Sequence, residues 1–346
     1  MPSRHKTDPF QRYSRQMRFK PLGLAGQERL SESTVLLVGV GALGTWLASI
    51  LVRAGVGRMI LVDRDVVELH NLQRQLLYTE KDVGSPKAIV AAQHLAQANS
   101  SIDLVGLAED FSPQVFSDLG SVPDLILDGT DNFPTRYLIN DLAMRGSIPW
   151  IYGGAVGAKG SAMVVLPGTT PCLRCLLPDP PTTGESETCE TVGVLTPTVT
   201  AVTAFQSAEA LKILSGNTES ISKGILTIDV WRYEHEMRMA EAGPAPHCST
   251  CRGVSFPALE QDWVGSSSLC GRDAVQVLPR ASSKIDLQKL AENLREVATD
   301  ITKTDHLLRF AVEHCRFSVF PNGRALLFGI DDAGRAQILF DRYVGA

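Results

Sequence analysis

Gly39-x-Gly41-x-x-Gly44 follows the apolar run 35–38 and opens a helix-periodic stretch. Glycines at that spacing let backbone N–H groups approach a phosphate and aim a helix N-terminus at negative charge. Asp63 ends the next apolar run, 59–62, where a carboxylate can accept hydrogen bonds from ribose hydroxyls. Any dinucleotide-binding fold shares those features. The next segment is more specific: Asp65, Asn71, Gln73 and Arg74, then Gly84-Ser85-Pro86-Lys87 opening another helix. A triphosphate attacked at its α-phosphorus needs donors for its equatorial oxygens and for the departing pyrophosphate. Arginine supplies a planar fork and lysine a mobile point charge. A dehydrogenase has no use for such a cluster just past its ribose acid, whereas an ATP-using enzyme does. Asp63, Asp65, Asn71, Arg74 and Lys87 are therefore the candidate nucleotide contacts.

Asp128-Gly129-Thr130-Asp131-Asn132 closes a fourth apolar run on the same edge, where ligands of open α/β sheets bind. Asp131 is placed to hold Mg²⁺, which needs only one or two protein carboxylates beside phosphate oxygens. Asp131 and Asn132 are equally placed to cap the helix entered at Pro134. Cys172-x-x-Cys175 and Cys248-x-x-Cys251 suit a tetrahedral structural Zn²⁺ that ties a loop to the end of the main domain. Cys189 stands apart in an acidic stretch, GESETCE. Two readings stand for it: a nucleophile forming a thioester or persulfide link with an activated acyl group, or an idle surface thiol. Its glutamates raise a thiol pKa and count against a resting thiolate.

The elements that must position these residues alternate. Strands are expected at 35–38, 59–62, 103–108, 125–128 and 149–152, with helices at 42–54, 86–98 and 134–145 between them. That alternation gives a Rossmann-like, mostly parallel sheet covered by helices. Residues 160–167 read as an antiparallel edge strand and 225–233 as one more strand, so the sheet carries an antiparallel extension. Residues 11–32 read as an amphipathic helix and a turn, and the proline-rich 171–193 as an irregular loop. Thr196-Pro197 reads as the cap and first position of a helix running to Ser215, before Gly216. The expected organisation is an N-terminal helical segment (1–34), a zinc-stapled nucleotide-binding domain (35–253), a linker (254–268) and a small α+β module (269–346). Within the module, a helix is expected at 285–297, strands at 307–312, 317–320 and 324–328, and a closing helix at 332–343.

The 346 residues are 44% hydrophobic and 21% charged, enough for a full core. A net charge of −5 argues against a nucleic-acid-binding surface. No apolar run approaches the roughly 18 residues of a membrane span, and the first 30 residues lack a signal-peptide core. Seven cysteines without a secretion signal suit metal or catalytic use in the cytoplasm.

With these residues assembled, the chain resembles the ThiF/MoeB-type adenylyltransferases, within the superfamily of ubiquitin-activating enzymes. The matching stretches are RYSRQ (12–16), GVGALG (39–44), DRDVVELHNLQRQ (63–75), GSPKA (84–88), DGTDN (128–132), both C-x-x-C pairs and CETVGVLTPTV (189–199). The resemblance implies that ATP and the C-terminal Gly-Gly carboxylate of a ubiquitin-like sulfur carrier react to an acyl-adenylate and pyrophosphate. The pathway would be thiamine or molybdopterin biosynthesis, with a sulfurtransferase or cysteine desulfurase acting downstream. Carried over by position, Gly39, Gly41, Gly44, Asp63, Asp65 and Asn132 would line the nucleotide site. Asn71, Arg74 and Lys87 would hold the phosphates, and Asp131 Mg²⁺. Arg15, on its own residues an ordinary surface cation, would reach the ATP of the other protomer, which implies a homodimer. Cys189 matches a cysteine that some members use for a covalent carrier link. The end of the chain departs from relatives bearing a rhodanese domain, since Cys270-Gly-Arg-Asp is not that domain's cysteine loop. The competing classes are an NAD-dependent oxidoreductase, for which no Tyr-x-x-x-Lys or histidine acid–base group stands out, and a non-catalytic carrier-binding scaffold.

Overall fold

The computed structural model describes residues 10–180, 191–239, 243–261, 267–268, 274–278 and 284–345. It forms two compact units, Met1–Gln261 and Asp262–Ala346.

The first unit is built on one eight-stranded sheet. Its parallel part comprises β1 (Thr34–Val38), β2 (Arg58–Val62), β3 (Asp103–Leu107), β4 (Leu125–Asp128) and the start of β5 (Trp150–Val156). β6 (Lys159–Val165), β7 (Gly224–Asp229) and β8 (Glu234–Met239) continue it antiparallel, in the order β3-β2-β1-β4-β5-β6-β7-β8. The unbroken apolar composition of β1, β2 and β4 follows from burial on both faces. Leu37, Leu61 and Leu127 share a core with α1 (Gly23–Glu32), α2 (Ala42–Ala54), α3 (Lys87–Ala98) and the end of a long later helix. The alternate residues Leu36, Ile60 and Ile126 are also fully buried, because strand side chains point to opposite faces. The short helix α4 (Pro113–Ser117) precedes β4, and α5 (Phe133–Gly146) packs on β4 and β5. The one-turn α6 (Leu173–Leu176) carries the first cysteine pair, and α7 (Thr196–Ser215) packs on α2, β5 and β6.

The mostly parallel Rossmann-like sheet and its antiparallel extension are as the sequence implies. Several local details differ. Residues 11–32 are not one helix: a 3-10 turn at Gln11–Tyr13 is separated from α1 by turns around Pro21 and Gly23, the latter at φ 59°. β6 is internal, because β7 covers it. The stretch 225–233 holds only β7 and a turn, with Tyr233 at φ 59°. β8 then completes a hairpin. Leu195, not Thr196, is the residue before α7's first turn, and the Thr196 hydroxyl donates instead to the Gln73 carbonyl at 2.9 Å.

The second unit is an antiparallel sheet of β9 (Ser267–Ser268), β10 (Ala274–Val277), β11 (Thr299–Lys303), β12 (Leu308–Val312), β13 (Cys315–Val319) and β14 (Ala325–Phe328), ordered β11-β12-β13-β14-β10-β9. α8 (Leu287–Asn293) and α9 (Ala333–Tyr343) contribute Leu290, Leu339 and Phe340 to a core with Phe310 and Phe317, whose rings stack 4.7 Å apart. α8 is shorter than the expected 285–297, and β11, wholly polar apart from Ile301, carried no strand signal.

Candidate active site

The glycine loop between β1 and α2 is held shut by its own backbone. Gly39 has φ 86°, and a Cβ there would lie 2.7 Å from the Gly129 carbonyl at the end of β4. A Cβ on Gly44 would collide with the Gly39 carbonyl. These two glycines serve close packing. Gly41, at the start of α2, is different: a Cβ there would meet only the Gln75 amide, at 3.6 Å. The open side of the loop is therefore at Gly41.

Around this loop runs a closed ring of hydrogen bonds. Val40 N–H donates to Asp63 Oδ2 at 2.6 Å, and Asp65 N–H to Asp63 Oδ1 at 2.7 Å. Lys87 N–H donates to the Asp65 carbonyl at 2.9 Å, while its Nζ lies 3.0 Å from Asp65 Oδ2. The Tyr78 hydroxyl lies 2.7 Å from the Val40 carbonyl and 3.2 Å from that of Lys87, closing the circuit. Lys87 is 2% exposed, so its ammonium is a fixed charge in the site rather than a solvated one. Burial raises the Asp63 carboxyl above its ordinary value, and the Lys87 charge opposes that rise. Burial also raises the Tyr78 phenol, with the carboxylates of Asp63, Asp65 and Asp82 adding to it, so Tyr78 stays a neutral donor.

The segment after Asp65 supplies amides. Asn71 is fully buried; its Oδ1 accepts from Glu68 N–H at 3.1 Å, but its Nδ2 has no partner. An orphaned buried donor costs free energy unless a ligand fills it, and a phosphate oxygen would. Arg74 is half-buried and spends one N–H on the His70 carbonyl at 3.0 Å, leaving the rest of its fork available.

At the end of β4, Asp128 is fully buried and accepts from Thr130 N–H (2.8 Å), Thr130 Oγ1 (2.7 Å) and Arg136 Nε (3.1 Å). Arg136 Nη2 also donates to the Thr130 and Gly153 carbonyls, at 2.8 and 3.1 Å, and its guanidinium lies against the rings of Phe133 and Tyr152. This pair fixes the loop carrying Asp131. Burial raises the Asp128 carboxyl, with the Arg136 charge working against it. Asn132 caps α5, its Oδ1 accepting from Thr135 N–H at 3.0 Å, which commits that oxygen to the fold. Asp131 is exposed, accepts no hydrogen bond among the described residues, and acts electrostatically on Arg136 and Arg64. A free carboxylate on the ligand edge of the sheet suits a hard cation.

The two cysteine pairs, 76 residues apart in sequence, come together in space. Cys172 Sγ lies 3.9 Å from Cys175 Sγ and 3.7 Å from Cys248 Sγ, and Cys175 Sγ lies 3.4 Å from Cys251 Sγ. Zn–S bonds of about 2.3 Å put tetrahedral sulfurs about 3.8 Å apart, so the cluster fits Zn²⁺. Ala245 and Cys251 direct N–H groups at the sulfurs of Cys175 and Cys248, as thiolate ligands require. Arg174, inside the first pair, forks onto buried Asp141 of α5 at 2.9 and 3.0 Å and stacks on Tyr137. Asp141 also accepts from Ala258 N–H at 2.8 Å.

In RYSRQ, Arg12 donates to the Ala98 carbonyl, Tyr13 accepts from Asn99, and Gln16 donates to Gln27 and the Ala54 carbonyl. Arg15 alone of the motif's large side chains is exposed with no hydrogen bond among the described residues. Cys189 and Cys270 lie outside the described residues. Sequence reasoning missed Gln75, Tyr78, Arg136 and the Arg174–Asp141 pair. Arg136 had one available signal, its position four residues past the Asn132 cap, one turn above the loop. The others are visible only once the chain has folded.

Residues 13–251 match the ThiF family model. The sulfur carrier protein ThiS adenylyltransferase of Bacillus subtilis (strain 168) is 39% identical over 337 residues, covering 96% of this chain and 99% of that protein. The adenylyltransferase and sulfurtransferase MOCS3 of Sus scrofa is 34% identical, covering 89% of this chain and 70% of that protein. Among solved structures, E. coli MccB with MccA-N7isoASN superposes with a TM-score of 0.62 at 25% identity, covering 69% of this chain and 74% of that one. By the extent of these matches, the chain belongs to the ThiF family.

Proposed function

We propose that the chain is an ATP-dependent adenylyltransferase acting on the C-terminal Gly-Gly carboxylate of a ubiquitin-like sulfur carrier, in thiamine or molybdopterin biosynthesis. The observation that carries this is the hydrogen-bonded ring of Asp63, Asp65 and Lys87 against the open Gly41, with the orphaned Asn71 amide beside it. Relatives named as ThiS adenylyltransferases, one matched over nearly its full length, support the same chemistry.

In this reading Asp63 and Asp65 bind the ribose side, and Asn71, Arg74 and Lys87 the phosphates. Asp131 would hold Mg²⁺, which supplies charge neutralisation on the phosphate oxygens when bound. A carrier carboxylate oxygen attacks the α-phosphorus; that P–O bond forms as the bond to pyrophosphate breaks, leaving an acyl-adenylate. Fixed cations then stabilise charge as it develops on the leaving group. Asn132 lies at the same edge through its cap, and the zinc staple is structural. Arg15, exposed and uncommitted, is proposed to complete the site of a second copy, making a homodimer. Cys189 is proposed to take the activated carrier as a thioester, its sulfur forming a C–S bond to the acyl carbon as the bond to AMP breaks and AMP leaves. A sulfurtransferase or cysteine desulfurase would then supply sulfur. The setting proposed is cytoplasmic; among the described residues, no helix is long and apolar enough to cross a membrane.

The test is intact-mass analysis of Gly-Gly-ended carriers after incubation with the protein and ATP. An AMP adduct on the carrier, lost when its last glycine is deleted, is expected. Absence of an adduct on every Gly-Gly carrier tried would refute the assignment.

A further inference from the structure

Gln75 sits four residues beyond Asn71 and is 4% exposed. Its Oε1 is buried with no hydrogen-bond partner, and its Nε2 is the atom nearest to where a Gly41 side chain would stand, at 3.6 Å. The oxygen would need a donor, which a phosphate does not offer; the nitrogen, the donor end, faces Gly41 and likewise makes no hydrogen bond among the described residues. The neighbourhood explains where its partner must come from. Gly39 and Gly44 are closed by backbone, so Gly41 is the position where a ligand can approach the loop. In a strand–glycine loop–helix unit, the second glycine is where a phosphate comes closest to the main chain. Thr45, on the next turn, is already committed: its hydroxyl donates to the Gly41 carbonyl at 2.9 Å and accepts from Leu76 N–H at 3.2 Å. Gln75 is thus the uncommitted side chain over Gly41.

We propose that Gln75 is a phosphate-contacting residue, its amide N–H donating to an oxygen of the phosphate lodged at Gly41, the one directly attached to the nucleoside. The donor end already faces Gly41, so the amide needs no reorientation to meet a phosphate there. Asn71, whose orphaned group is Nδ2, would serve a neighbouring phosphate from the same segment. The division of labour is then by chemistry. The amides meet oxygens close to the loop, where a neutral donor suits a buried position, and the cations Arg74 and Lys87 meet the charge that leaves. This rests on the nucleotide site proposed above and adds to it a residue and the phosphate it serves.

The test is direct binding of adenosine, AMP and ATP to the full chain and to two variants, Gln75→Met and Gln75→Glu. Methionine keeps the volume and flexibility of the buried chain and removes both amide atoms; glutamate keeps the shape and replaces the donor by an acceptor. Loss of a hydrogen bond to a charged group should weaken AMP and ATP by about tenfold or more in Gln75→Met, with a larger loss in Gln75→Glu. Adenosine binding should change less than about twofold, because it has no phosphate to lose. Equal weakening of adenosine, or unchanged AMP binding in both variants, would overturn the proposal, since either marks a purely structural glutamine. If the unaltered chain binds none of the three, the nucleotide site itself is refuted, and that outcome is separately visible.

Discussion

At the scale of single residues, the site is a set of groups kept in unfavourable surroundings by specific partners. Lys87 is buried against Asp65, so Lys87→Ala should remove the fixed charge from the phosphates and lower carrier-dependent adenylylation by at least about a hundredfold. Lowered melting alongside retained activity would show that its ammonium only serves the fold. Arg136 makes the opposite kind of case. Arg136→Met would leave the Asp128 carboxylate buried without its counter-charge, an expected loss of about 3–5 kcal/mol at neutral pH. The sign with pH follows from burial having already raised the Asp128 carboxyl above its ordinary value. The deficit should be smallest in acid, where Asp128 is protonated, and should grow as pH rises through its elevated folded-state pKa. Denaturant melts of both proteins from acid to neutral pH would show it, and a pH-independent deficit would contradict it. Residue types with a dedicated chemistry, such as Asp63, Lys87 and the four cysteines, were legible in the sequence because spacing alone places them. Gln75 and Tyr78 were not, since glutamine and tyrosine occur everywhere and their meaning here lies in what they fail or manage to reach.

Among the elements, α5 connects both centres. Its N-terminal turn holds Asp128 through Arg136, and its third turn holds the first cysteine knuckle through Asp141 and Arg174. Zn²⁺ removal by a chelator should therefore loosen residues 172–177 and the cap of α5 together. Hydrogen exchange would be expected to rise at Thr135 and Arg136 as well as at Leu173 and Leu177, and exchange confined to the knuckles would argue that α5 transmits nothing. The same elements show why some boundaries could be read and others not. α2 and α7 end where the sequence implies, because Gly55 and Gly216 take positive φ at their C-termini. β8 was invisible: all six of its residues, EHEMRM, are exposed, so no alternation of polar and apolar residues marks it. The N-terminal stretch 11–32 carries a helical periodicity, but Pro21 and Gly23 divide it, and tertiary contacts of Tyr13 and Gln16 settle its path.

For the whole molecule, the parallel sheet with helices and its antiparallel extension were legible because strand–helix alternation leaves few ways to connect the chain. In the second unit β12, β13, β14 and both helices were legible, whereas β10 and β11 gave too little pattern to be placed. The larger prediction concerns assembly. If Arg15 completes the site of a second copy, Arg15→Ala and Lys87→Ala chains, each inactive alone, should complement when mixed. Random reassortment makes half the dimers mixed, each with one intact site, so about a quarter of full activity should return. No recovery after verified subunit exchange would show that Arg15 works within its own chain, or not at all.

The most direct test of the central claim is exchange of labelled pyrophosphate into ATP in the presence of a Gly-Gly-ended carrier. Reversible formation of an acyl-adenylate predicts exchange that requires the carrier and disappears in Lys87→Ala and Asp131→Ala. Exchange without any carrier, or none with every Gly-Gly carrier tested, would contradict adenylylation of a protein tail by this chain.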